Sequence, residues 1–186
     1  MAHIVIYSVI FAVIVVLSNI AVQFQIGDFY LTYGALTYPF SFLLLDILSE
    51  KNHKKDVLKV LKYGIFFAFI PSFFLSEPQI AIASICAFIV SQTIDVNVFF
   101  LFKNKLPKLW WLRNNVSTII AQFFDTMIFF HIAFFGVKSI KECVLMALFD
   151  FGIKIILSVI NTPFFYLLAI RMKNKVWNLQ QNKSHK

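Results

Sequence analysis

Charged residues are scarce in this chain of 186 residues. They make up 14% of the sequence, whereas 60% of the residues are hydrophobic and 24 are phenylalanine. An ordinary globular domain has about 25% charged residues. Mean hydropathy is +0.79. Such a composition is not that of a water-soluble domain, and it predicts a membrane protein.

The chain also has only two cysteines and lacks the common catalytic motifs. Cys86 and Cys143 both fall in or at the edge of apolar runs, which predicts packing thiols and no disulfide. No second His or Cys stands at ligand spacing beside His131, so no metal site is predicted. The chain has no Gly-Lys-Ser/Thr loop, which excludes ATP hydrolysis by this chain itself. We predict a protein that is not an enzyme and binds no cofactor.

Six long apolar runs follow one another along the chain. About 18 apolar residues are enough for a helix to cross the hydrocarbon core of a bilayer. The runs cover residues 4–24, 31–48, 57–75, 79–101, 116–136 and 143–170. They are continuous and do not alternate, which excludes a β-barrel. We predict an all-α polytopic membrane protein with six transmembrane helices, of which the second is the shortest and most interrupted.

The basic residues are unevenly distributed between the connections. Of 17 Lys and Arg residues, fourteen follow the second, fourth or sixth run, two lie in other connections, and Lys154 lies within a run. The positive-inside rule then predicts that both termini are cytoplasmic. It also explains the net charge of +8 without nucleic acid as a partner. The predicted membrane domain covers residues 1–172, and residues 173–186 form a cytoplasmic polar tail.

Polar side chains recur inside five of the six runs. Ionisable residues at this depth are costly and usually face a bundle interior or a wet cavity. Asp95 and Asp125 each follow a glutamine by three residues, Gln92 and Gln122, and no basic residue lies within a turn of either aspartate. Protonation, a bound cation or a ligand rich in N–H groups would stabilise them. We expect these four residues to line one site.

The presence of the other polar residues inside the runs can be explained without a ligand. Asp150 and Lys154 lie one turn apart and can neutralise each other within one helix. Asp46 and Glu50 are spaced in the same way and approach a basic connection, whose lysines can pair with them. A single amide such as Asn19 is commonly a hydrogen-bonding contact between helices.

Four segments of the chain together resemble one protein family. They are LTYPFSFLLLDILSE, SQTIDVNVFFLFK, WWLRNNVSTIIAQFFDTMIFFHIAFFG and LFDFGIKIILSVINTPFFYLLAI. In order and spacing they are similar to the queuosine precursor transporter family, earlier grouped as vitamin uptake transporters, over about residues 18–170. The chain departs from the family after Glu50, where KNHKK replaces a Tyr-Gly pair.

The resemblance implies a function and a substrate class. Members are thought to move 7-deazaguanine bases across the bacterial inner membrane for queuosine modification of tRNA. The candidate bases are 7-cyano-7-deazaguanine, its aminomethyl analogue and queuine. We therefore expect an inner-membrane protein whose partners are such a small base and the lipid bilayer, with no nucleic acid. The sequence leaves a homo-oligomer open.

The resemblance also implies most of a set of functional residues, to which the polar positions inside the runs add Asn19 and Asp150. The residues expected to hold the substrate are Asn19, Gln92, Asp95, Gln122 and Asp125. The residues expected to serve gating or coupling are Asp46, Glu50, Arg113, Asn114, Asp150 and Lys154. In this prediction Asp46 and Glu50 form a cytoplasmic gate, and Lys154 pairs with a carboxylate. Arg113 and Asn114 are expected to cap the start of the fifth span.

Two other functions compete with a self-sufficient carrier. The chain can be a substrate-binding subunit similar to the small six-span components of energy-coupling-factor importers, with ATPases on other chains. A membrane-embedded enzyme with catalytic carboxylates is a further alternative. The absence of His-Glu-x-x-His, Gly-x-Ser-x-Gly and Gly-x-Gly-Asp motifs disfavours the enzyme.

Overall fold

Every regular element in the described part of the chain is a helix. The computed structural model describes residues 2–24, 26 and 32–171. The elements are α1 (Ala2–Val22), α2 (Tyr33–Thr37), α3 (Pro39–Lys51), α4 (Lys54–Leu75), α5 (Pro78–Lys105), α6 (Trp110–Ala133), α7 (Ile140–Phe165) and a π-helical continuation of α7 (Tyr166–Arg171). The predicted tail at 173–186 lies outside the described residues.

Five of these helices are long and apolar enough to cross a membrane, namely α1, α4, α5, α6 and α7 with its continuation. The all-α polytopic prediction is confirmed. The helices begin and end within about six residues of the predicted runs, since hydropathy locates an apolar core better than the turn at which a helix stops.

The second predicted span consists of two helices that meet at Tyr38. Pro39 opens α3 and has no N–H, so one backbone hydrogen bond is missing at the junction. Tyr38 N–H still donates to the carbonyl of Gly34 (2.9 Å), and Ser41 N–H donates to the carbonyl of Tyr38 (3.0 Å). Residues 33–51 cover about 28 Å at 1.5 Å per residue, close to the thickness of a hydrocarbon core.

The connections gather at two ends of the bundle, because successive crossings run in opposite directions. Among the described residues, the basic end holds 51–54, 105–110 and Arg171, and the opposite end holds 22–24, 32–33, 75–78 and 133–140. At the basic end Lys103 donates to the carbonyls of Ser49 (2.6 Å) and Glu50 (2.9 Å) and so joins α5 to α3. At the opposite end Gln23 Nε2 donates to the carbonyl of Leu75 (3.1 Å), joining α1 to α4.

Apolar side chains divide between a packed interior and an outward surface. Phe11, Leu45 and Phe88 belong to a buried cluster formed by α1, α3, α4 and α5. By contrast, Phe66 and Phe74 of α4 are 66% and 79% exposed. Lipid tails are as apolar as such side chains, so this surface suits contact with a bilayer.

Close packing of α1 on α4 depends on Gly64. A Cβ atom at this position would lie 2.5 Å from Cδ1 of Phe11, whose ring is fully buried. We expect Gly64→Ala to lower the free energy of unfolding by about 1–3 kcal/mol through overpacking, measured by thermal unfolding in detergent. Gly152→Ala is the matched control, because a Cβ there meets nothing within 4 Å. Equal losses in both variants would contradict the assignment.

Candidate functional site

All eleven predicted site residues point into the bundle. Each is at most 5% exposed. Nine of them form a polar stripe along the bundle axis, in four layers between α3, α5, α6 and α7; Asn114 lies beside the last layer, and Asn19 lies on α1. The layers, from the opposite end to the basic end, are Asp125–Lys154–Asp150, Gln92 with Gln122, Asp46 with Asp95, and Glu50–Arg113.

The first layer is an ion triad. Lys154 Nζ lies 3.1 Å from Asp125 Oδ2 and 2.8 Å from Asp150 Oδ2. Ser91 Oγ donates to Asp125 Oδ1 (3.0 Å), and the ammonium group stands 5.0 Å from the ring centroid of Tyr38. The cation that Asp125 lacks within a turn of its own helix thus comes from α7. With all three groups ionised, the triad carries one net negative charge.

Tyr38 organises the helices around this triad, although the sequence analysis did not single it out. Its hydroxyl donates to Asn19 Oδ1 (2.7 Å) and bonds to Ser84 Oγ (2.8 Å). Asn19 Nδ2 in turn donates to Ser72 Oγ of α4 (2.9 Å). Asn19 therefore links α1 to α4 in this structure, and the substrate-binding role predicted for it stays a prediction. The only sequence signal for Tyr38 was its position before Pro39, where the helix breaks.

The second layer contains the two glutamines on facing helices. Gln92 Nε2 donates to Ser41 Oγ (3.0 Å) of α3, and Ser158 Oγ of α7 donates to Gln122 Oε1 (3.0 Å). Each amide keeps one buried polar atom without a hydrogen-bond partner among the described residues, Oε1 of Gln92 and Nε2 of Gln122. The layer separates the triad from the carboxyl groups nearer the basic end.

The third layer differs from the predicted arrangement. Asp46 was expected at the gate with Glu50, and Asp95 in the substrate site, but the two carboxyl groups lie beside each other. Thr118 Oγ1 donates to Asp46 Oδ2 (3.0 Å). The reason for the difference is that α3 crosses α5 at this level, which spacing along the chain does not reveal.

The fourth layer closes the basic end with a buried ion pair. Arg113 donates to Glu50 Oε2 through Nη2 (2.8 Å) and Nε (3.1 Å), and through Nη1 to the carbonyl of Pro107 (2.8 Å). The lysines of its connection were candidate partners for Glu50, and in the structure its carboxylate pairs with Arg113. Since α6 begins at Trp110, Arg113 lies in its first turn and reaches across to α3. Asn114 beside it is also buried, with its Oδ1 unpartnered among the described residues.

A cavity of about 240 Å³ lies between the first layer and the opposite end. Tyr38, Asp125, Asp150 and Lys154 form its inner part, and Gln23 and Glu77 lie toward the end of the bundle. Its apolar wall includes Val22, Ile80, Phe129, Phe130, Phe134 and Met146. The lining combines three carboxylates with one ammonium group and several aromatic faces. Such a lining suits a small planar molecule that donates N–H hydrogen bonds.

Three of the eleven predicted residues line this cavity, namely Asp125, Asp150 and Lys154. The substrate-binding role predicted for Gln92, Asp95 and Gln122 stays a prediction, and these side chains lie deeper than the cavity. No group of three or more His, Cys, Asp or Glu residues suited to a metal ion occurs in the part of the chain that the structure describes.

Comparison with known proteins finds a family model and three relatives that are all described as transporters. A family model described as "Putative vitamin uptake transporter" matches residues 70–168, which include all of α5, α6 and α7. A "Probable queuosine precursor transporter" of Bacillus subtilis is 29% identical over 160 residues, covering 73% of this chain and 70% of the relative. The protein of the same name from Haemophilus influenzae is 33% identical over 130 residues, covering 58% and 54%.

The "Queuosine precursor transporter" of Escherichia coli is 27% identical over 180 residues, covering 82% of this chain and 80% of the relative. No solved structure gives a significant match. The relatives are transporters, which confirms the prediction that this chain is not an enzyme. The family match extends over more than half of the chain, and the protein therefore belongs to the vitamin uptake transporter family.

Proposed function

We propose that this protein takes up queuosine precursors across the bacterial inner membrane. The names of the three relatives support the substrate class. The observation that carries the proposal is the buried Asp125–Lys154–Asp150 triad at the inner end of an acidic, aromatic cavity. The cavity has a volume of about 240 Å³, which is smaller than the roughly 300–1,000 Å³ typical of sites for drug-sized ligands. A single bicyclic base is smaller than such ligands and suits this volume.

The chemistry of a 7-deazaguanine matches the lining. One edge of the base carries N1–H and an exocyclic amine, a donor pair that the two oxygens of a carboxylate can accept. We assign this edge to Asp150, because Lys154 contacts both carboxylates but only Asp125 also accepts a hydrogen bond from Ser91. The carbonyl group of the base can then accept a hydrogen bond from Lys154. Phe129 and Phe130 on the wall offer faces for stacking.

We place the basic end of the bundle in the cytoplasm, because Lys and Arg accumulate in cytoplasmic connections. Both termini are then cytoplasmic, the cavity opens outward, and the Glu50–Arg113 pair closes the path inward. Labelling with a membrane-impermeant maleimide in intact cells tests this, after Cys86 and Cys143 have been replaced. Lys138→Cys should react and Lys105→Cys should not; the reverse pattern would overturn the orientation.

The function is tested in proteoliposomes that contain this protein alone. The initial rate of uptake is measured for each of the three candidate bases. We expect the wild-type protein to take up at least one base and Asp150→Asn to reduce the initial rate at least tenfold. An amide accepts through one oxygen only, and a hydrogen bond to a charged group contributes about 1.5–3 kcal/mol. Asp56→Asn is the control, since that carboxylate is 40% exposed at the basic end.

The outcomes separate the competing functions. Uptake by the protein alone supports a self-sufficient carrier. Uptake that requires a co-reconstituted ATPase supports the importer-subunit alternative. If folded wild-type protein takes up none of the three bases under either condition, the proposed substrate class is wrong.

A further inference from the structure

Asp46 and Asp95 form a carboxyl pair in the middle of the bundle. Asp46 is 2% exposed and Asp95 is fully buried, and the two carboxyl groups lie beside each other. Two ionised carboxylates this close repel each other strongly in a medium of low dielectric constant, so they do not both stay charged. One proton shared between them removes the repulsion.

Among the described residues, three of the four oxygens of the pair lack a hydrogen-bond donor. Thr118 Oγ1 lies beside both carboxyl groups but donates to Asp46 Oδ2 (3.0 Å). Ser117 Oγ, also beside Asp95, donates to the carbonyl of Asn114 (3.3 Å). Asp95 Oδ1, Asp95 Oδ2 and Asp46 Oδ1 therefore have no donor among the described residues. A proton on one carboxyl group would supply the missing O–H donor.

Each described cation near the polar stripe binds groups other than Asp46 and Asp95. Arg113 is held by Glu50, which lies one turn from Asp46 on α3. Lys154 of α7 is held by Asp125 of α6 and by Asp150. Lys103 of α5 donates to carbonyl groups at the end of α3. No ion pair with Asp46 or Asp95 occurs in the described ranges 2–24 and 32–171.

A second observation limits the size of any ligand at the pair. A void of about 10 Å³ is lined by Asp46, Thr118 and Asn114, and the side chain of Asn114 is 4% exposed with its Oδ1 unpartnered among the described atoms. Such a volume admits about one water molecule, which excludes the base. Only a proton or a species the size of one water molecule fits this polar, unpartnered site, and a proton supplies the missing donor without occupying volume.

We propose that Asp46 and Asp95 share one proton and form a proton-binding site, separate from the substrate cavity, through which the proton gradient drives uptake. The pair takes its proton from water on the outer side and releases it to water on the inner side, and only an O–H bond forms and breaks. Thr118 and Asp125 are seven residues apart on α6, which separates the two sites by about 10 Å. The coupling part of this proposal rests on the proposed transport function.

Infrared difference spectroscopy of the purified protein tests the shared proton without any transport. We expect a carbonyl band of a protonated carboxyl group that shifts on ¹³C labelling of aspartate and disappears in Asp95→Asn. Asp46→Asn gives a second variant if Asp95→Asn does not fold. A band that is absent in wild-type protein, or that persists unchanged in both folded variants, would overturn the shared proton.

Coupling is tested in proteoliposomes with the base that gives the highest wild-type uptake. An inside-alkaline pH gradient should drive its accumulation, and a trapped pH dye should report lumen acidification on addition of the base. Asp95→Asn should reduce gradient-driven accumulation at least tenfold while the base still raises the melting temperature of the variant. If Asp95 had only a structural role, Asp95→Asn would reduce both the uptake and the rise in melting temperature that the base produces.

The remaining outcomes are equally decisive. Accumulation driven by a sodium gradient and unaffected by pH would overturn proton coupling, as would normal acidification with folded Asp95→Asn. If wild-type protein moves no base under any gradient, the proposed transport function fails, and the infrared band still decides whether the carboxyl pair holds a proton.

Discussion

Lys154→Met is expected to abolish uptake and to destabilise the protein by about 3–5 kcal/mol, the usual cost of removing one partner of a buried ion pair. The reason is that Lys154 alone lies between Asp125 and Asp150, at 3.1 Å and 2.8 Å. Without the ammonium group, two buried carboxylates face each other across the inner end of the cavity. Thermal unfolding in detergent and the initial rate of base uptake measure the two effects.

Two further variants separate charge from packing at this position. Lys141→Met removes an exposed lysine near the start of the same helix and should change stability by less than about 0.5 kcal/mol. Lys154→Met combined with Asp150→Asn should recover part of the lost stability, because one uncompensated charge is removed, yet should remain inactive. If Lys154→Met alone unfolds like wild type, the triad is not the electrostatic centre of the site.

Arg113→Gln should produce the second largest loss of stability. The guanidinium group donates twice to Glu50 Oε2 and once to the carbonyl of Pro107, and the two charged side chains are 5% and 4% exposed. Removing the cation leaves a buried carboxylate and should cost about 3–5 kcal/mol. Replacing both partners, Arg113→Gln with Glu50→Gln, should cost less than Arg113→Gln alone. Thermal or denaturant unfolding of the four proteins gives the interaction energy as a double-mutant cycle.

An exposed pair at the same end of the bundle provides the control. Lys59 and Asp56 lie 3.3 Å apart with side chains 55% and 40% exposed. Lys59→Gln should therefore cost less than about 1 kcal/mol. Equal effects of Lys59→Gln and Arg113→Gln would mean that the Glu50–Arg113 pair contributes no more than a solvated contact.

Much of the architecture was predictable because lipid imposes strong constraints. A chain in lipid must satisfy its own backbone hydrogen bonds, so each continuous apolar run gave helical structure. Polar residues at lipid depth turn inward, and all eleven predicted side chains are buried. The second span was predictable only in part. The sequence shows that Pro39 favours the start of a helix, but it does not show the geometry with which the two short helices meet at Tyr38.

The partners within the stripe were harder to predict. Period and spacing place Asp46 and Glu50 on one face of α3, yet Asp46 meets Asp95 of α5 and Glu50 meets Arg113 of α6. Tyr38 was missed because a tyrosine near a membrane interface is usually an anchor, whereas its hydroxyl is buried between α1 and α5. Which faces meet depends on how each helix is rotated and tilted against its neighbours.

The sequence by itself determined that this chain is a helical membrane protein, which residues turn inward, and to which family it belongs, because apolar length, buried charge and motif order are local properties. Only the tertiary structure decided that the inward residues separate into a cavity with an ion triad, a carboxyl pair without a cation, and a closing ion pair. The physical reason is that side chains on different helices become partners only through packing, and in lipid that packing follows from the shapes of whole helix faces and not from the spacing of any one segment.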